Sequence, residues 1–112
     1  MSTQPPTEDL DILRQALNGD RGEDQQRIAQ QGIELVTLLL RKNFDYGSSA
    51  WKAPLLAPDM TPREAIQCRM SDKIQRFIQL QSKPAEVAES LEDTVQDWTG
   101  YGLLWLGAPH DE

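Results

Sequence analysis

Apolar residues recur at helical spacing in four stretches of this chain, separated by polar segments that hold glycine and proline. In the first, Leu10, Leu13 and Leu17 share a face, with Thr7 as N-cap and Asn18-Gly19 as the stop, which predicts a short helix. Asp20 to Gln26 is almost wholly polar and reads as a linker. The second helix is expected from about Asp24 to Asn43. Ile28, Gly32, Leu35, Val36 and Leu39 lie on one side, Leu38 and Leu40 widen the arc, and Glu34 and Arg41 stand opposite. Thr61-Pro62-Arg63-Glu64 opens the third, with Thr as N-cap, Pro at the first helical position and Glu at the capping-box position. This helix turns Ile66, Met70, Ile74 and Phe77 toward the core and sets Arg69, Lys73 and Arg76 along one flank. The fourth is expected to start at the break Ser82-Lys83-Pro84. Val87, Leu91, Val95, Trp98, Gly102 and Trp105 form its apolar face, and Gly107 and Pro109 end it. Strand alternation and hairpin signals do not occur. The pattern predicts an all-α bundle of about four helices. Its parts are a flexible segment over residues 1–24 with a short helix, a helical domain over 25–107 and a tail over 108–112.

At 112 residues the chain has room for one modest core. A hydrophobic content of 38% is low, which points to disorder in part of the chain or to surface buried between subunits. The net charge of −7 opposes binding to polymeric nucleic acid and to anionic membranes. Cys68 is the sole cysteine and His110 the sole histidine, which argues against a disulfide framework and a cysteine- or histidine-centred metal site. Cys68 is read as structural. With neither a membrane-length apolar run nor a secretory pattern at the N-terminus, a cytoplasmic location is expected.

The candidate chemistry begins with acids. Read as helix, the last stretch spaces Glu89, Asp93 and Asp97 four residues apart, where like charges repel. Two things relieve such a row: a divalent cation with hard oxygen ligands, to which Glu34 adds a carboxylate from another helix, or a facing basic helix. The plain alternative is a solvated face with acids favoured at a helix N-terminus, which explains Glu86 better than Asp97. Arg69, Lys73 and Arg76 supply either ion-pair partners for those acids or donors for phosphate. Lys42, Asn43, Asp45 and Tyr46, with Trp51 beyond, are read as a connection after the second helix. They suit turn and helix-end roles singly, and together they suit a nucleoside. Trp98 and Trp105 are read as core or subunit interface, and Tyr101 as a ligand contact or a cover for the core.

The combination Lys42-Asn43-Phe44-Asp45-Tyr46-Gly47, Trp51, Arg69, Lys73, then Glu89, Asp93, Asp97 and Tyr101 resembles the small phage and bacterial proteins known as nucleotide modification associated. These in turn are similar to the all-α NTP pyrophosphatases of the MazG type. The likeness spans roughly Glu34 to Leu106. It implies a helical bundle assembled as a homodimer or homotetramer, Mg²⁺ (or Mn²⁺) on helix-borne carboxylates, and hydrolysis of a nucleoside triphosphate between its α- and β-phosphates. The MazG pattern carries a Glu-x-x-Glu pair on its first core helix, whereas this chain has Glu34 with Thr37 and Leu38 where the partner stands.

The expected function is a Mg²⁺-dependent (d)NTP pyrophosphohydrolase, phage-encoded and working in the host cytoplasm. Glu34, Glu89 and Asp93 are the candidate catalytic residues, and the same three with Asp97 the candidate metal ligands. Lys42, Asn43, Asp45, Tyr46, Trp51, Arg69, Lys73, Arg76 and Tyr101 are the candidate substrate contacts. Two rivals stand beside it: a non-catalytic nucleotide-binding or host-interaction module, and a structural subunit whose acids pair with its basic stripe.

Overall fold

The computed structural model describes residues 7–84, 86 and 89–109. Four α-helices follow one another: α1 (Thr7–Leu17), α2 (Glu23–Tyr46), α3 (Pro62–Ser82) and α4 (Leu91–Leu106), with a 3-10 turn at Ser49–Trp51 between α2 and α3. No strand occurs among the described residues, so the chain is all-α as its pattern predicts. The expectations for Val87 and His110 lie outside the described residues. Contacts divide the chain into two units, Met1–Leu38 and Leu39–Glu112, and the division falls inside α2.

In the first unit the predicted linker is instead a tight helix-to-helix connection. Gly19, at φ +89, lets its N–H reach the Ala16 carbonyl (3.1 Å) and the Asp20 N–H reach the Gln15 carbonyl (3.0 Å). Only a residue without Cβ takes that left-handed turn freely, and the two bonds satisfy carbonyls that α1 leaves unpaired. Gln26 adds a third cap from its side chain, Nε2 to Leu17 O at 3.0 Å. Ala16 and Ala29 are buried, while Ile28, placed on the apolar arc by its spacing, is 72% exposed.

α2 continues through Asn43 to Tyr46, so the segment read as a connection is the helix's last turn. Its true stop is Gly47 at φ +65, whose carbonyl accepts from Asn43 Nδ2 at 3.1 Å. Asn43 favours such local bonds at helix ends, which its polarity suggests but its spacing does not.

The second unit is organised by α3 and α4, which run antiparallel: Gln67 meets Trp105 and Lys73 meets Asp97. α3 opens with the expected capping box, Thr61 N–H to Glu64 Oε1 at 2.8 Å and Glu64 N–H to Thr61 Oγ1 at 3.1 Å. α4 does not start at Pro84. It starts at Leu91, with Ser90 as N-cap and Asp93 completing a second capping box (3.1 and 3.3 Å). Glu89 therefore precedes the helix, and the row of three evenly spaced helical acids does not exist. The signature Ser-x-x-Asp at 90–93 outcompetes proline as the start because it satisfies two backbone N–H groups at once.

The faces are also turned from their expected directions. Ile66 is fully buried, but Ile74 (42%), Phe77 (39%) and Ile78 (61%) remain exposed. The Lys73 and Arg76 side chains are better covered, at 20% and 27% exposure. On α4 the inward residues include Thr94 and Gly100, both buried, and half-buried Asp97 and Tyr101; Leu91, Val95 and Trp98 stay more than a third exposed. The helices thus meet partly through polar groups, whose long apolar stems supply contact area while their heads find opposite charge. Trp51 closes the other end. Its Nε1–H donates to Leu104 O at 2.9 Å, and its ring lies against Gly107. Ala108, assigned by its sequence to the tail, is buried.

Candidate functional site

The polar contact between α3 and α4 forms a small charged centre. α3 presents Lys73 and Arg76 one turn apart, on the face that α4 covers. Lys73 Nζ lies 3.1 Å from Glu89 Oε1 and 3.0 Å from Asp97 Oδ2, so one ammonium sits between carboxylates from two places in the chain. Arg76 holds Glu89 twice. Its Nη2 donates to the Glu89 carbonyl at 3.0 Å, and its Nε stands 2.9 Å from Oε2 without aligning as a hydrogen-bond donor, so that second contact is coulombic.

Beneath them lies Thr94, with no exposed surface. Its hydroxyl has Glu89 Oε2 at 2.7 Å and Ser90 O at 3.0 Å. A hydroxyl carries one proton. Donation to the ionised carboxylate is the stronger choice, and the Ser90 carbonyl, already bonded to the Thr94 N–H, loses least by it. The Thr94 hydrogen bond, then that of Lys73, then the charges of Lys73 and Arg76, hold the Glu89 carboxyl below its ordinary range against the opposing effect of burial. For Lys73 burial alone disfavours the charge, but Asp97 and Glu89 outweigh it and hold the ammonium above the usual lysine range. Glu89 and Lys73 are therefore both ionised throughout the neutral range.

Of the predicted site residues, the fold brings Lys73, Arg76, Glu89 and Asp97 into direct contact. Asp93 is adjacent but exposed, and its carboxylate accepts the Ser90 N–H. Arg69 is half-buried one turn before Lys73 and forms no ion pair among the described residues. Tyr101 is half-buried one turn beyond Asp97 on α4. Lys42, Asn43, Asp45 and Tyr46 are exposed on the last turn of α2, with Tyr46 at 70%. Trp51 has its polar edge committed to Leu104 O, as described above. Glu34 is exposed on α2 within the first unit, whereas every contact of the charged centre lies in the second.

Thr94 is the member that sequence reasoning misses. Its signal lies in its distance from a cap: four residues past Ser90 it must share the side of the first turn on which the preceding chain enters.

No group of three or more His, Cys, Asp or Glu is placed to hold a metal ion among the described residues. None of the described helices is long and apolar enough to cross a membrane. No family model, curated protein or solved structure matches the chain.

Proposed function

We propose that the protein handles nucleotides, taking up a nucleoside triphosphate with Mg²⁺ at the charged centre of α3 and α4 and cleaving it to a monophosphate and pyrophosphate. The observation that carries this reading is the Lys73 ammonium held between Glu89 and Asp97 at 3.1 and 3.0 Å. A cation already occupies the space that two hard carboxylate oxygens share, and two carboxylates completed by phosphate and water are a donor set that suits Mg²⁺. Glu89 and Asp97 would hold the ion, which differs from the pair Glu89 and Asp93 expected from spacing, since Asp93 serves its cap. When bound, Mg²⁺ supplies neutralisation of the triphosphate charge and activation of water.

The chain's own residues supply the rest. Lys73 and Arg76, released from their carboxylates, donate to phosphate oxygens, and Arg69 adds a third donor on the same helix. Exchange of Lys73 and Arg76 between carboxylate and phosphate leaves the number of ion pairs unchanged, so little charge is stranded in a part-buried site. Thr94 keeps Glu89 aimed and ionised. Assembly as a homodimer or homotetramer belongs to the same proposal. Its support is the apolar surface left open on α3 and α4, together with Leu55 and Leu56, which are almost wholly exposed.

A second reading has an observation of its own. Each of Glu89, Asp93 and Asp97 already has a donor within the protein, as a purely structural centre requires. The two separate on a panel of (d)NTPs with Mg²⁺ or Mn²⁺. The enzyme releases pyrophosphate, and Asp97→Asn and Glu89→Gln each lower the rate by about tenfold or more. Binding of intact nucleotide without pyrophosphate marks a non-catalytic binder. With no binding, no turnover and no metal effect on melting, the centre is structural and the nucleotide reading is wrong.

A further inference from the structure

A groove opens between the start of α3 and the end of α4 and holds about 640 Å³. Its walls are Met70, Trp98, Leu103, Trp105 and Leu106, and its polar lining groups are Gln67 and Thr99. No charged residue lines it. We propose that this groove seats the base of the bound nucleotide, an inference that rests on the reading of the charged centre as its triphosphate site.

The placement follows from helix geometry. Met70 stands one turn from Lys73 on the same side of α3, and Trp98 is the residue after Asp97 on α4, about 100° around that helix, so the groove begins about one turn along α3 from the ammonium. A nucleotide has the same layout, an aromatic ring a short sugar away from its charge. The two indoles differ in what they can offer. Trp105 is already fixed: the Arg63 guanidinium lies 4.1 Å over its ring, and its N–H donates to Gln67 Oε1 at 3.3 Å. Trp98 lines the same groove and is 41% exposed. Between them Gly102 leaves the floor open, with nothing within 4 Å of the position a Cβ would take. The Gln67 amide, whose oxygen is used, keeps its NH₂ for a base edge. Size, apolar walls and few convergent polar groups match what small-molecule sites require.

The test uses the full chain with Mg²⁺, a (d)NTP panel and inorganic tripolyphosphate as the baseless probe. Gly102→Leu fills the groove in a helix that favours leucine over glycine, so the variant folds. The expected result is (d)NTP affinity weakened by about tenfold or more with tripolyphosphate affinity unchanged, since base stacking is worth that much. Trp98→Ala gives the same split, Trp98→Phe recovers most of the loss, and (d)NTP quenches tryptophan emission where tripolyphosphate does not. If (d)NTP binds Gly102→Leu as tightly as wild type, the base lies elsewhere and the inference fails while the phosphate site stands. If Gly102→Leu breaks up an oligomer and weakens both ligands alike, the groove is an interface between copies and the inference fails. If wild type binds neither ligand, the reading of the charged centre fails and takes the inference with it.

Discussion

Replacing Lys73 by methionine keeps most of the stem and removes the charge that joins Glu89 to Asp97. Two charge-assisted contacts disappear, each worth roughly 1.5–3 kcal/mol where water is excluded. Here the carboxylates keep 28% and 34% of their surface, so water returns to them and recovers part of the loss. Arg76 still holds Glu89, which leaves Asp97 as the group most exposed to the change. A net loss of roughly 2 kcal/mol follows. At roughly 4–8 °C per kcal/mol for a small domain, the melting temperature should fall by about 10 °C, read by circular dichroism at 222 nm. The same variant vacates the place between the two carboxylates, so Mn²⁺ should raise its melting temperature more than that of wild type. Adding Asp97→Asn should abolish that rise. A loss below about 0.5 kcal/mol would mean that the ionic centre is a solvated face of no energetic weight. Absence of any Mn²⁺ effect in both proteins would refute the ammonium as a stand-in for a divalent cation.

Other outcomes follow from single contacts. Ser90→Ala and Asp93→Ala each lose the α4 capping box and about 1 kcal/mol, and urea titration should show the double variant costing little more than either single one. The Glu89 carboxyl is held below its unfolded value, so its contribution to stability is complete above about pH 4.5 and is lost as pH falls through the lowered folded value. Urea titrations across that acid range should show a shallower decline in Glu89→Gln. Lys73, held above its unfolded value, contributes fully below about pH 10 and loses that contribution as pH rises through the raised folded value, an alkaline limb that Lys73→Met should lack. Trp51→Phe removes the hydrogen bond to Leu104 O and costs about 1 kcal/mol in urea unfolding. Gly19→Ala strains a turn at φ +89 and costs about 1 kcal/mol, visible as an earlier midpoint in the same assay.

The parts of the fold that are legible in the chain are those set by local chemistry. Thr61, Pro62 and Glu64 announce the start of α3 by themselves, and Gly19 announces the end of α1, because each satisfies backbone groups within a few residues. The start of α4 is equally written, as Ser90 and Asp93, but Pro84 offers a competing signal six residues earlier. Periodicity misleads when it is used to say which side faces in. Ile74, Phe77, Val95 and Trp98 form orderly apolar rows, yet α3 and α4 meet through Lys73, Arg76, Thr94 and Asp97. Hydrophobic spacing reports that a face is apolar, not what covers it, and complementary charge on two helices decides their mutual rotation. The basic stripe and two of the acids are legible as partners, since opposite charge at matching intervals shows in the order of residues alone. That Glu89 acts from the chain ahead of the helix is not visible there, nor is the burial of Thr94.

The ionic lock between α3 and α4 also fixes how far the two helices can slide. Purely apolar ridges tolerate displacement, since one methyl group replaces another with little loss. A slip of one turn, about 5.4 Å along the axis, would carry Lys73 out of reach of both carboxylates at once. The same few residues that cap α4 also set the phase of Thr94 and Asp97 on it. The alignment of the pair is thus discrete: a slip by less than a turn strands the charged contacts, and a slip by a whole turn sets Arg69 or Arg76 in the place that Lys73 fills, so the two helices have a few defined registers rather than a range.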